Sequence, residues 1–366
     1  MQYREYGNTG KMVSALGYGA MRLPFDDPEE SVALLRLGMD LGINYIDTAY
    51  GYGGDGRSEK YVGEAIKDRR DQVYIATKNP LHDETVAGWW QRLETQLERL
   101  QTDHIDFYKV IHGLTWDVYT RVYEPKLHKE ALKARDQGII SHLVFSCHDT
   151  PENMIKLIDT GVFEGILLQY NLLDRVNEEV IAHAHESGMG VEIMGPVGGG
   201  RLGMASERIQ SMVPGTTSTP ELALRFVLAN PNVTIAFSGM NTRAQVEENC
   251  AIASREAPLS AEEMQAIQSA LEENKRLAEL YCTGCNYCIP CPQGVAIPDI
   301  FAAMNYHRVW GLTAHAKELY RGLGPDNKEG KMNASACVEC GQCEEKCPQN
   351  IPIIQRLKES HAVLAE

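Results

Sequence analysis

Apolar and polar positions along this chain follow two periods that take turns. Eight short apolar runs suit strands buried on both faces: SALGYGAM, NYIDTA, VYIATK, HIDFYKVIHG, IISHLVFSC, EGILLQYN, GVEIMGPVGGG and VTIAFSGM. After each comes a stretch with helical periodicity. PEESVALLRLGMDLG has Pro28 at its start and Gly42 at its end, and PENMIKLIDTG opens on Pro151. The other helical stretches are residues 57–69, 84–100, 117–136, 176–187, TPELALRFVLAN and 242–253. Ahead of the first unit, residues 1–13 read as a β-hairpin around Asn8-Thr9-Gly10-Lys11. Eight strand–helix units over roughly 240 residues predict an α/β fold, a (β/α)8 TIM barrel. A doubly wound open sheet is the alternative. The unit count disfavours it, as does the lack of a G-x-G-x-x-G turn after the first strand.

The pattern changes after the barrel. Residues 259–280 read as a polar linker helix, and residues 281–366 as a small all-α domain, so the barrel is assigned to residues 1–258. Cysteine usage changes at the same place. Of ten cysteines, eight lie after residue 281, while Cys147 and Cys250 stand alone upstream and read as packing residues. The chain has 366 residues, 43% of them hydrophobic, enough for a sizeable core. A net charge of −15 argues against nucleic acid or an anionic membrane as main partner. There is no run of 18 apolar residues and no basic-then-apolar leader, so neither a membrane span nor a secretion signal is expected. The expected location is the cytoplasm, where clustered cysteines suggest metal rather than disulfides.

In a barrel of this kind, reacting groups gather at the C-terminal ends of the strands. Asp47 ends the second strand, Lys78 the third, His112 the fourth, Ser146 the fifth, and Gln169 with Asn171 the sixth. Gly195, Gly198, Gly199 and Gly200 follow the seventh, and Gly239 the eighth. Tyr52 sits in the glycine-rich turn GYGGDG just past Asp47. A free phenol is a weak acid, with a pKa near 10; a nearby ammonium is the direct way to lower it, and a carboxylate can hold that ammonium charged. Each residue alone would read as an ordinary polar group at a loop mouth, and that placement by itself does not displace this reading.

These residues also carry a resemblance. IDTAYGYG, the ATK strand end, the strand ending IHG, LQYN, GPVGGGRL and SGMNTRAQVEEN are similar to the aldo-keto reductase family, over about residues 1–255. The resemblance implies Tyr52 as proton donor, Lys78 and Asp47 as the groups that tune it, and His112 as the group that orients a substrate carbonyl. It implies NADP(H) or NAD(H) lying over the barrel mouth without a Rossmann fold. The implied cofactor positions are Ala20, Met21, Asp47, Ser146, Gln169, Met194, Gly195, Gly198, Gly200, Leu202, Gly239, Met240, Gln245, Glu248 and Asn249. Three places depart from the family pattern. Cys147 follows Ser146 where Asn is usual, and Met194 stands where an aromatic often stacks on the nicotinamide. Gly239 and Gln245 occupy positions that commonly carry Lys and Arg for the 2′-phosphate, which leaves NADP and NAD both open.

The tail holds two cysteine runs. Cys282, Cys285, Cys288 and Cys291 are spaced C-x2-C-x2-C-x2-C-P; Cys337, Cys340, Cys343 and Cys347 are spaced C-x2-C-x2-C-x3-C-P, the bacterial ferredoxin run. Eight thiolates suit two 4Fe–4S clusters. In two-cluster ferredoxins the fourth cysteine of each run serves the other cluster. That rule gives Cys282, Cys285, Cys288 and Cys347 to one cluster, and Cys337, Cys340, Cys343 and Cys291 to the second. The tail resembles the α-helical dicluster ferredoxin domain. Two four-cysteine zinc sites are the alternative, though zinc sites usually pair two distant C-x2-C hairpins.

The leading expectation is an NAD(P)H-dependent oxidoreductase acting on a small carbonyl or alcohol. Its clusters would link the site to a one-electron donor or acceptor, a protein or a carrier. A redox-sensing module that binds NAD(P)H is the alternative from another class, and a plain carbonyl reductase braced by its clusters is a third.

Overall fold

The computed structural model describes every residue except Ala257, Leu280, Tyr281, Thr283 and Glu366, and leaves out the side chains of Ala278 and Glu279. The expected junction between residues 280 and 281 therefore lies outside the described residues.

Among the described residues ten strands are formed. β1 (Tyr3–Glu5) and β2 (Met12–Ser14) make the antiparallel hairpin, with Tyr3 opposite Ser14. β3 (Leu16–Gly19), β4 (Tyr45–Asp47), β5 (Tyr74–Lys78), β6 (Ile105–Lys109), β7 (Ile140–Ser146), β8 (Gly165–Gln169), β9 (Gly190–Met194) and β10 (Ile235–Ser238) follow. These eight pair in parallel and close as β10-β3-β4-β5-β6-β7-β8-β9, the predicted barrel. Helix starts follow the local chemistry. Asp27 accepts from the Glu30 N–H ahead of the helix Pro28–Asp40, Thr85 caps Val86–Leu100, and Thr150 caps Pro151–Asp159. Residues 117–136 do not form one regular helix. Tyr119–Leu127 widens into π-helical geometry around Pro125, which has no N–H to donate; regular helix resumes at His128–Asp136.

The hairpin closes the N-terminal end of the barrel. Tyr6 is fully buried, its ring 4.2 Å from Phe107 and 6.1 Å from Tyr45, centroid to centroid. It lies over Gly165 and Gly190, the first residues of β8 and β9, where any Cβ would collide with its ring. Glycine at those two positions is thus a condition of the plug.

The chain packs as two compact units, residues 1–199 with 223–259, and residues 200–222 with 260–366. The expected division kept residues 200–222 with the barrel. Instead this segment finds its partners in the C-terminal helices. Arg201 Nη1 donates to the Tyr306 hydroxyl at 3.0 Å, and Ser206 Oγ donates to the Trp310 carbonyl at 2.5 Å. The second unit includes the helices Ala261–Glu279, Ile297–Arg308, Thr313–Arg321 and Ile353–Leu364. Its core holds Ile300, Phe301, Met304, Tyr320 and Leu357. Among the described residues no helix is long and apolar enough to cross a membrane.

Candidate active site and cluster cradles

Asp47 and Lys78 are the last residues of β4 and β5, so the strands deliver both side chains to the C-terminal mouth. Lys78 Nζ donates to Asp47 Oδ2 at 2.5 Å and to the Thr48 carbonyl at 2.6 Å, with both charged side chains almost wholly buried. Burial by itself would lower the Lys78 pKa. The Asp47 carboxylate and then the Tyr52 phenol outweigh it, and the net direction is upward. Asp47 is likewise opposed by burial, but Lys109 and then Lys78 hold it below the usual carboxylate range. Tyr52 follows in the turn, with Lys78 Nζ 4.8 Å from the centre of its ring. His112 stands edge-on to that ring at 6.2 Å. The expectation placed His112 at the end of its strand; β6 stops at Lys109, and His112 lies in the turn beyond, its N–H bonded to the Asn79 carbonyl. Burial, with the Lys78 charge behind it, brings His112 down to about 4, although part of the ring remains exposed. The imidazole is therefore neutral near pH 7. The four residues come together as a phenol flanked by a neutral imidazole and a fixed ammonium.

Two further charges complete this centre, and the hydropathy pattern did not single them out. Lys109, the last residue of β6, donates to Asp47 Oδ1 at 2.8 Å. The same Nζ lies 2.6 Å from Glu192 Oε2 in β9, forming a second ion pair. Glu192 Oε1 accepts from the Tyr6 and Tyr45 hydroxyls, both at 2.6 Å. The available signal was a charge inside each apolar run, FYKVI and VEIM, since a charge buried within a barrel strand requires a partner.

The implied cofactor positions sort by element. Ala20 and Met21 follow β3, Asp47 ends β4, Ser146 ends β7, Gln169 ends β8 and Met194 ends β9. Ser146 Oγ already accepts from the Gly113 N–H at 3.0 Å. Gly195 and Gly198 take left-handed φ values of 64° and 60°, a backbone that turns its N–H groups toward one side. Gly239 and Met240 follow β10, and the Met240 carbonyl is held by Tyr18. Gln245, Glu248 and Asn249 lie on the helix Arg243–Ala253, with Asn249 Nδ2 bonded to Ser238 Oγ. Gln245 is turned back on its own loop, its Oε1 accepting from the Asn241 N–H at 2.8 Å. Gly200 and Leu202 belong to the second unit. Cys147 and Cys250 are buried, and burial raises both thiols to about 11, as befits packing residues.

In the second unit the cysteines line two cavities. One is bounded by Cys282, Cys285, Cys288 and Cys347. The other is bounded by Cys291, Cys337, Cys340 and Cys343, and Cys288 lines both. The two runs also share a backbone device. Gly284 and Asn286 flank Cys285 at φ 71° and 66°, and Glu339 and Gly341 flank Cys340 at 57° and 78°. Left-handed residues on both sides of one cysteine aim successive N–H groups into a concavity that suits an anionic iron–sulfur group. The Gly284 N–H already meets Cys282 Sγ at 3.3 Å. Among the described residues, no three His, Cys, Asp or Glu side chains converge on a single metal ion.

Known proteins resemble both parts. The Aldo/keto reductase family matches residues 15–219, and the 4Fe-4S dicluster domain matches residues 281–351. An uncharacterized oxidoreductase of Bacillus subtilis, YqkF, is 28% identical over 75% of this chain and 98% of its own length. The holo form of the aldo-keto reductase AKR11C1 from Bacillus halodurans superposes with a TM-score of 0.65 at 30% identity, covering 74% of this chain and 96% of that one. An aldo/keto reductase from Klebsiella pneumoniae, solved in complex with NADP and acetate, gives 0.62 at 26% identity, over 72% and 93% of the two chains. A closed parallel barrel with Asp47, Lys78, Tyr52 and His112 at its mouth, matched over more than half its length, makes this chain an oxidoreductase of the aldo/keto reductase family that carries a C-terminal 4Fe-4S dicluster domain.

Proposed function

We propose that the chain interconverts a small carbonyl compound and its alcohol using NADPH or NADH, and that two 4Fe–4S clusters connect this site to a one-electron partner. The observation that carries the reading is the Tyr52 phenol set between the neutral His112 imidazole and the buried Lys78–Asp47 pair. The nicotinamide, when bound, supplies or accepts hydride. The chain's own part is the proton. Tyr52 donates its hydroxyl proton to the carbonyl oxygen, while the Lys78 ammonium favours the negative charge left on the phenol. His112, uncharged, holds the carbonyl oxygen by a hydrogen bond without competing for the proton. The left-handed glycines after β9 suit phosphate oxygens, and the complex of the Klebsiella relative supports NADP as one cofactor. The two cysteine-lined cavities support the cross-wise ligand sets, Cys282, Cys285, Cys288 and Cys347 against Cys337, Cys340, Cys343 and Cys291. Iron–sulfur groups pass single electrons, which a hydride site alone does not require.

Two variants separate the parts. Tyr52→Phe keeps the ring and removes the proton, so carbonyl reduction is expected to fall about a hundredfold or more. Nicotinamide affinity and iron content should hold. Cys340→Ser should do the reverse, with iron and sulfide lost and nicotinamide binding retained. Reduction at the unaltered rate by Tyr52→Phe would remove the acid–base assignment and favour a module that only binds nicotinamide.

A further inference from the structure

We infer that Lys109 and Glu192 are positioning residues for the proton-donating centre: a buried counter-charge pair that holds Asp47 by its second oxygen and balances the charge behind Tyr52. The inference rests on the reading of Tyr52 as the proton donor.

The geometry is a row of alternating charges inside the barrel. Lys78 binds Asp47 Oδ2, Lys109 binds Asp47 Oδ1, and Glu192 faces Lys109. Lys78 and Lys109 are register partners on adjacent strands, so two ammonium groups leave neighbouring positions at the same level. Only a carboxylate between them, accepting from both, makes that arrangement tolerable. Asp47 is therefore clamped at both oxygens, and its carboxylate plane cannot turn away from Lys78. Lys109 is also the larger of the two cationic influences on Asp47.

Glu192 completes the balance. Lys109 and Glu192 are both fully buried, where an unpaired charge is costly. One Glu192 oxygen takes two phenols and the other pairs with the Lys109 ammonium. Burial and Glu192 itself push the Tyr6 and Tyr45 phenols well above their ordinary range, so both remain proton donors. With Lys78 and Lys109 positive and Asp47 and Glu192 negative, the row sums to zero when Tyr52 is protonated. The other titratable groups bearing on this row are His112 at the mouth, with His148 beside it, and Glu164 near Tyr6. A pair that served packing alone would not need one ammonium shared between Asp47 and a second acid.

Charge balance gives the test its sign. Lys109→Met leaves the row one unit negative, and Glu192→Gln leaves it one unit positive. The ionisation of the Tyr52 phenol can be read without substrate or cofactor, as the ultraviolet phenolate signal of each protein minus that of the same protein carrying Tyr52→Phe. Lys109→Met is expected to move this signal to higher pH, and Glu192→Gln to lower pH, each by about one unit, the usual scale of one unpaired interior charge. The double variant restores neutrality and keeps an acceptor for Tyr6 and Tyr45, so its signal should return to the original pH. It also serves if either single variant fails to fold, because Lys109→Arg against the double variant then compares a charged with a neutral pair of equal net charge. Those two should titrate alike. Single variants that shift in the same direction or not at all would overturn the inference, as would a shift in the double variant. Failure of the Tyr52 reading looks different: carbonyl reduction by Tyr52→Phe would continue unabated, whatever the phenolate signals do.

Discussion

His112 shows how one residue can tie pH to both function and stability. Its ring falls to about 4 in the folded protein, against about 6.5 in an unfolded chain. The native imidazole is thus neutral across the working range, and in the proposed mechanism its N–H would meet the carbonyl oxygen without adding a second positive charge beside Lys78. The unfolded chain takes up the proton first as acid is added. The stability this group contributes is complete above about pH 6.5 and is lost as pH falls from there toward about 4. His112→Asn removes the titration. Its denaturant midpoint should therefore fall less than that of the unaltered protein between about pH 7 and about pH 4.5; equal falls would mean the ring is not held neutral. At this scale the sequence was legible where polar residues end apolar runs, which is how Asp47, Lys78 and Tyr52 stood out. Lys109 and Glu192 escaped because they sit within runs whose average is apolar. Only their pairing in space, between β6 and β9, gives them meaning.

The two cysteine runs are the elements that repay the same scrutiny. Their spacings differ by one residue before the fourth cysteine, yet each brackets its second cysteine with left-handed residues. Gly341 can be tested alone, because nothing lies within 4 Å of where its Cβ would be. Gly341→Ala should cost about 1 kcal/mol through the backbone itself. Anaerobic denaturation of the iron-loaded protein measures it, and a loss under about 0.3 kcal/mol would show that the turn relaxes. Spacing made the cysteines legible. It could not reveal that Asn286 and Glu339, neither a glycine, hold the left-handed conformation. The strands were legible because a fully covered parallel sheet leaves uninterrupted apolar runs. The helix over 117–136 was legible as a helix but not as a distorted one, although Pro125 stood in plain view.

For the whole molecule, the question is whether the proposed nicotinamide site and the proposed clusters exchange electrons. Anaerobic protein with full iron and sulfide, given NADPH, is expected to develop the paramagnetic resonance signal of a reduced cluster. If the clusters accept electrons from a chemical reductant but never from NADPH, the plain reductase braced by its clusters is the better description. The sequence suggested a boundary near residue 258, where the barrel pattern ends and a polar helix begins. It did not suggest that residues 200–222 pack with residues 260–366, because no change of composition marks that segment off from its neighbours. That division has a consequence in time. Arg201 lies 105 residues ahead of Tyr306, and Ser206 lies 104 ahead of Trp310. At a synthesis rate of about 5–20 residues per second, the segment is made about 5–20 seconds before its partners. Through that interval residues 200–222 wait without Tyr306 and Trp310, and the two bonds can form only when the last third of the chain is being made.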